Sequence, residues 1–364
     1  MSARIGTIPV PTLGRWGLSM KRPDAFVRQV WSGGGGAAGA VLRTLLAPAE
    51  AAYGAAVRAR NRGYQHGWLR SERVDVPVIS IGNVAVGGAG KTPFAAWTAQ
   101  RLREWGRRPA IALRGYGEDE ILLHRELSPD VPVFANRRRA EAARQAAAAG
   151  CDVVVLDDGF QHRALARDLD VVLLSVEGWT PRPRLVPRGP WREGLDALAR
   201  ADLIVLTRKS AYADRMAEVA AELAPLHPSR PIIHCALRAS ALVPLHPGGG
   251  GSMDDRRGVL AVAALAAPEL FIQQLRMLGT VGSKVDVEAA LYPDHHSFTS
   301  YDAANLMARA AGRTIVMTHK DAVKLRGLLP PSVGALVLEQ SVVIERGLKT
   351  LEAALRRALE GAAR

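Results

Sequence analysis

From residue 71 onward, short apolar runs alternate with longer segments whose apolar positions recur every three or four residues. Val76–Ile81, Pro109–Leu113, Asp152–Leu156, Leu169–Val176 and Leu203–Leu206 are rich in Val, Ile and Leu and predict strands buried on both faces. Between several of them, Phe94–Trp105, Arg138–Ala149 and Gly194–Ala201 predict helices. Strands alternating with helices imply an α/β fold, a mainly parallel sheet covered by helices on both faces. Pro244, Pro247 and Gly248–Gly251 break this rhythm. A second set follows: strand Val259–Leu265, helices Pro268–Leu278 and Tyr301–Ala311, and strands Thr314–Thr318 and Ala335–Leu338. These predict a smaller C-terminal α/β lobe, closed by a terminal helix over Leu348–Leu359.

Upstream, residues 1–35 read as irregular, ending in the Gly33–Gly36 run. Leu42, Leu45, Leu46, Ala49, Tyr53, Ala56 and Val57 then fall at helical spacing, with Arg43, Arg58, Arg60 and Arg62 around them. They predict an N-terminal amphipathic helix that Pro48 either kinks or restarts. Its stripe suits packing on its own domain or lying in a membrane interface. Three parts are expected: a basic leader with this helix over 1–70, a core over 71–240, and the smaller lobe over 241–364.

Charge sharpens the picture of the leader. The chain of 364 residues carries a net charge of +13, and residues 1–73 hold eleven Arg or Lys against three acids. A basic leader suits an anionic membrane surface, nucleic acid or plain solvation. Aromatics are only 5% of the chain, too few to interleave with the basic stretches for base stacking, so no nucleic-acid partner is expected. No charge-free apolar run approaches the roughly 18 residues of a spanning helix. Pro9, Pro11 and Gly14 interrupt any apolar signal-peptide core. Two cysteines, Cys151 and Cys235, make no disulfide framework and fit a reducing compartment.

The densest candidate chemistry is Val76–Pro93, VPVISIGNVAVGGAGKTP. A strand, a glycine-rich turn, Lys91-Thr92 and a helix form the sequence pattern of a phosphate cradle: backbone N–H groups converge on phosphate oxygens at a helix N-terminus. Lys91 would reach the β- and γ-phosphates, and the Thr92 hydroxyl would ligate Mg²⁺. The common pattern asks for glycine at 85, where this chain has Ala85, so a tight strand–helix turn is the competing reading. Asp157 and Asp158 end the apolar run before them, where a phosphate-loop protein carries its second Mg²⁺ anchor and other proteins carry an ordinary Asp-Gly turn. Gln161 and His162 follow along the same edge.

Glu118-Asp119-Glu120 reads as a solvated acidic loop or, beside a nucleotide, as a source of the group that accepts a hydroxyl proton. Asp294-His295-His296 lacks the ligand spacing of a zinc site and better suits a histidine paired with a carboxylate. Arg188–Glu193 and Thr318–Lys324 suit gripping an anion or capping helices. Thr318-His319-Lys320-Asp321 has only a superficial likeness to a guanine-recognition motif.

Together these motifs closely resemble the lipid A 4′-kinase (tetraacyldisaccharide 4′-kinase) family. The resemblance is carried by ISIGNVAVGGAGKTP (79–93), RGYG (114–117), LDDGFQHR (156–163), GPWRE (189–193), DHHSFT (294–299) and THKDAVKL (318–325). The family's loop also lacks the first glycine. The resemblance implies a phosphate-loop kinase, peripheral on the cytoplasmic face of the inner membrane, whose N-terminal helix meets the anionic membrane surface. Its implied activity is transfer of the γ-phosphate of ATP, with Mg²⁺, to the 4′-hydroxyl of a tetraacyl glucosamine disaccharide 1-phosphate. Residue by residue it implies that Ala85, Val86, Gly87, Gly88, Ala89, Gly90, Lys91 and Thr92 bind ATP. Thr92, Asp157 and Asp158 serve the metal, and Asp119 is the base, paired with His295. Glu120, Arg137, Gln161, His162, Arg192 and Glu193 line the site. Asp119 and His295 fall in different lobes, so lobe closure is expected to assemble them.

Overall fold

The computed structural model describes residues 23–31, 33–115, 117–251, 257–278 and 286–361. Arg4, Arg15, Lys21 and Arg22 of the basic leader, and Tyr116 of the RGYG motif, lie outside the described residues. The chain opens with helices α1 (Pro23–Trp31), α2 (Gly36–Leu45) and α3 (Ala47–Gln65). Then come β1 (Val78–Asn83), α4 (Lys91–Glu104), β2 (Pro109–Leu113), α5 (Glu118–Leu127), β3 (Val133–Ala135) and α6 (Arg139–Ala148). They are followed by β4 (Val153–Asp157), β5 (Leu169–Ser175), β6 (Leu203–Arg208), α7 (Ala213–Leu223) and β7 (Ile232–Pro244). The remaining elements are β8 (Val259–Ala263), α8 (Pro268–Met277), β9 (Val287–Leu291), α9 (Ser300–Ala310), β10 (Thr314–Thr318), α10 (His319–Leu325), β11 (Ala335–Arg346) and α11 (Leu348–Gly361).

All strands join one sheet in the order β3-β2-β4-β1-β5-β6-β7-β11-β10-β8-β9. Every neighbouring pair is parallel except β7 with β11. The two parallel halves therefore run in opposite directions, and register shows how they meet. Arg208 at the end of β6 pairs with Ala236, whereas Thr318 at the end of β10 pairs with Leu338, which faces Leu242. The carboxyl ends of both halves thus point at one another, separated along β7 by six residues, about 20 Å at about 3.3 Å per residue. A cleft at that place is where open parallel sheets bind ligands. The sheet runs unbroken through residue 240, because β7 belongs to both halves.

Alternation within the strands decides which helix covers which face. Ile79, Ile81, Val153, Val155, Val171 and Leu173 pack against Phe94 and Leu102 of α4 and Leu351, Leu355 and Leu359 of α11. Their neighbours Val78, Ala110 and Val154 face Ala143 and Ala146 of α6, and Val172, Leu174 and Ile204 face Met216 and Val219 of α7. The terminal helix therefore returns to the first half of the sheet instead of closing the second lobe, because its apolar stripe fills the space beside α4.

Several elements differ from expectation. Glu118–Glu120 form the first turn of α5, where three carboxylates favour the positive end of a helix, instead of a loop. Leu195–Arg200 is a 3₁₀ turn, and α1 occupies part of the stretch expected to be irregular. β7, β9, α7 and α10 lay outside the predicted elements, and β11 runs eight residues past Leu338 as a half-buried partner of β7.

Pro48 restarts the N-terminal helix, standing in the first turn of α3. That helix docks on the 184–193 segment. The Glu50 carboxylate accepts the Leu185 N–H at 2.8 Å and pairs with Arg188 at 3.0 Å, and Gly54 admits the Leu185 side chain. Arg43 does not face outward: its guanidinium donates to the Val30 and Gly34 carbonyls and ties α2 to α1. Val41 (58% exposed), Leu45 (70%) and Trp68 (78%) remain open to solvent. No helix among the described residues is long and apolar enough to cross a membrane.

Candidate active site

The glycine-rich loop joins β1 to α4 in the cleft. Gly90 holds φ 84° at the head of α4, in the left-handed region open to glycine, and a Cβ there would meet Leu237 Cδ1 at 2.2 Å. The loop is clamped from both sides. Val86 N–H donates to the Pro190 carbonyl, and the Arg192 N–H donates to that of Val84, both at 2.7 Å. From the other side the Thr207 hydroxyl donates to the Ala89 carbonyl at 2.9 Å. The GPWRE segment is thus the loop's scaffold as well as a source of charge.

Lys91 and Thr92, in the first turn of α4, face the two aspartates ending β4. Thr92 Oγ1 donates to Asp157 Oδ2 at 3.0 Å, and Lys91 Nζ lies 3.4 Å from Asp158 Oδ1. Arg192 also reaches Asp158, at 3.2 Å, and Arg139 donates to its carbonyl at 3.1 Å. Burial opposes the charge of Asp158, but Lys91, Arg192 and Arg139 outweigh it and hold the carboxyl below the usual range. Asp158 sits at φ 52°, a left-handed conformation that turns the chain sharply after β4.

α5 brings further groups against this pair. His124, fully buried, hydrogen-bonds Asp157 Oδ2 through Nε2 at 2.8 Å. The Glu120 carboxyl is raised by burial and by the negative charges of Asp157, Asp119 and Asp158. Thr92, Asp157, Asp158 and Glu120 thus offer hard oxygen donors beside the phosphate loop, a donor set that fits Mg²⁺. Among the described residues no three His, Cys, Asp or Glu side chains close on a single point.

Asp119, one residue earlier on α5, faces the second lobe. Lys324 of α10 lies 3.1 Å from its Oδ2, and His295 Nδ1 lies 3.9 Å from the same oxygen. Burial would raise the Asp119 carboxyl, but the Lys324 hydrogen bond and charge, with His295 and Lys320, leave it below the usual range. His295 is held below the ordinary imidazole value by burial and Lys320, against the pull of Asp294 and Asp119, so it is neutral at pH 7. It adopts φ 60°, and its N–H donates to Asp294 Oδ1, which also takes Lys320 at 2.8 Å. α10 packs on α5, and Arg326 makes a bidentate pair with Glu126 at 2.9 Å, so the two lobes meet beside the pair.

The remaining residues divide. Gln161 donates to the Asn83 carbonyl at 2.6 Å and lies 3.4 Å from Arg192, inside the cluster. His162 is pushed down to about 4 by burial and by Arg139, Arg167, Arg114 and Arg60, so it is a neutral hydrogen-bonding group among arginines. Arg137 lines a neighbouring open cleft with Arg114, Glu118 and Ile121. Glu193 is turned away, 2% exposed, between Arg200 at 3.0 Å and Asn61 of α3 at 2.7 Å. His124 was not singled out in the sequence, and Lys324 only as the end of the Thr318–Lys324 stretch. His124 stands four residues after Glu120, a spacing that aligns them only once this stretch is recognised as helix.

Known proteins resemble this chain in sequence and in fold. A profile of the tetraacyldisaccharide-1-P 4′-kinase family, LpxK, matches residues 42–360. A tetraacyldisaccharide 4′-kinase of Anaeromyxobacter sp. (strain K) is 40% identical, over 91% of this chain and 95% of its own. That of Halorhodospira halophila is 37% identical, over 78% and 84% respectively. A crystal structure of LpxK from Aquifex aeolicus in complex with ATP superposes with a TM-score of 0.66 at 28% identity, over 87% of this chain and 99% of its own. The chain therefore belongs to the tetraacyldisaccharide-1-P 4′-kinase family.

Proposed function

We propose that this kinase uses the cleft between its two sets of strand ends to move the γ-phosphoryl group of ATP onto the 4′-hydroxyl of a tetraacyl disaccharide 1-phosphate. The observation that carries this reading is the approach of Asp119 to His295 and Lys324 on one side and, through Glu120, to the Asp157–Asp158 pair on the other. A proton acceptor and a phosphate cradle therefore share one wall.

The roles follow from charge and position. Backbone N–H groups of residues 85–90, the N-terminus of α4 and Lys91 hold the phosphates. Thr92, Asp157 and Asp158 are the groups that would hold Mg²⁺, and that ion neutralises phosphate charge when bound. Asp119, ionised, takes the proton of the sugar hydroxyl as the sugar oxygen bonds to phosphorus and the bond to the β–γ bridging oxygen breaks, leaving ADP. His295, neutral, orients that carboxylate and is free to pass the proton on. Arg192 and Arg139 offset charge on the transferred group.

The exposed Val41, Leu45 and Trp68, with the basic excess of the same N-terminal stretch of sequence, support a peripheral position on the cytoplasmic face of the inner membrane. There the acyl chains stay in lipid while the sugar reaches the cleft.

An acceptor series tests the reading: the disaccharide 1-phosphate with its 4′-hydroxyl free, and the same lipid with that position deoxygenated. Transfer to the first alone is expected; equal consumption of ATP with both would contradict it.

A further inference from the structure

The end of β6 carries a cation that the reading above leaves without a task. Arg208 and Lys209 stand together there, but only Arg208 has a carboxylate partner, Glu345, at 2.9 and 2.5 Å. Lys209 turns the other way, toward the phosphate loop. Its ammonium lies 3.1 Å from the position that a Cβ on Gly88 would occupy. Among the described residues it forms no ion pair.

The position is built rather than incidental. Glu177 accepts the backbone N–H groups of Lys209, Ser210 and Ala211 at 2.5, 3.0 and 3.3 Å, fixing the turn after β6. Thr207, two residues before Lys209, donates its hydroxyl to Ala89 of the loop at 2.9 Å. From the second lobe, Gln274 of α8 donates to the Lys209 carbonyl at 3.5 Å and to that of Leu237 at 2.8 Å. Three elements therefore hold this lysine over the loop. Burial disfavours its charge; Glu177 favours it and Lys320 opposes it. An anion arriving on the loop would add a close counter-charge to the influence of Glu177, which forms no ion pair with this lysine.

We infer that Lys209 is a second cation for the nucleotide's phosphates, reaching them across Gly88 from the side opposite Asp158. The inference rests on the kinase reading of this cleft and adds a nucleotide contact to it. Lys91 grips the phosphates from the helix side, and Lys209 grips them from the β6 side. A lysine on a mobile surface loop would gain little from such contact, but the backbone of this one is already fixed.

Calorimetric titration of MgATP into the full chain, without lipid, tests this. Lys209→Met is expected to weaken MgATP binding about 10- to 100-fold, as for loss of a charge-assisted hydrogen bond. Lys209→Arg should recover part of the loss, and vesicle binding should stay unchanged. A Lys209→Met chain that binds MgATP within about twofold of the parent would overturn the inference. If that variant melts without a cooperative transition, acetylation of the unmodified chain decides. MgATP should then protect Lys209 while exposed Lys349 reacts as before, and equal labelling of Lys209 with and without MgATP overturns the proposal. A parent chain that binds MgATP but does not phosphorylate the lipid would remove the kinase reading instead.

Discussion

His295 Nδ1 lies 3.9 Å from Asp119 Oδ2, although the two residues belong to opposite halves of the sheet. Their approach depends on β7 and β11 turning the second half to face the first, and on α10 packing against α5. If Asp119 is the base, Asp119→Asn keeps the shape and removes the acceptor. Phosphoryl transfer should slow roughly 10²- to 10⁴-fold under single-turnover conditions, with MgATP binding retained. A rate close to the parent's would move the base to a neighbouring carboxylate.

The pH profile offers a separate check. Burial would raise the folded Asp119 carboxyl, but Lys324, His295 and Lys320 together hold it below its usual value. It stays ionised, and active, until pH falls through that lowered value. Lys324→Met removes the largest opposing influence and leaves burial, so the carboxyl rises. The acid limb of kcat/KM should move to higher pH. An unmoved limb would mean that Asp119 does not govern it.

Close backbone approach near the end of β1 gives a stability prediction. A Cβ on Gly82 would stand 2.5 Å from the Phe160 Cβ and 2.6 Å from its backbone nitrogen, inside the core. Gly82→Ala should cost about 1–3 kcal/mol in urea denaturation, the usual range for overpacking. Exposed Gly327 has nothing within 4 Å of the corresponding position. Gly327→Ala should stay within about 0.5 kcal/mol.

For the membrane, Val41→Asp with Leu45→Asp places charge on the two large exposed apolar side chains of α2. Sedimentation with anionic vesicles should fall on the order of tenfold or more, since each apolar side chain contributes about 1.5–3 kcal/mol when fully buried. Activity on substrate in detergent micelles should persist. Undiminished sedimentation would place the contact elsewhere.

Legibility in the sequence followed locality. β1, β2, β4, β5 and β6 are fully apolar over most of their length, and the loop, Lys91, Thr92 and the two aspartates are contiguous with them. Each could be read from a window of ten residues. β7 could not, because in HCALRAS the buried run Cys235–Leu237 is short and gives way to exposed Arg238 and Ser240 as the strand leaves the core, so it lacks a strand's apolar density. α5 was hidden for another reason. Its three leading acids look like a loop unless the helix dipole they stabilise is considered. Missing α5 also hid His124, which reaches Asp157 only from a helix. The pairing of Asp119 with His295, and the place of Lys324, came from the family resemblance or from the fold, since no local pattern encodes a contact between residues so far apart in the chain.

The most direct test of the account is incubation of the full chain with γ-labelled ATP and the disaccharide 1-phosphate lipid, with Lys91→Ala alongside. Label is expected on the lipid as a 4′-phosphomonoester with the parent chain and almost none with Lys91→Ala. Equal labelling by both, or label released only as inorganic phosphate, would contradict it.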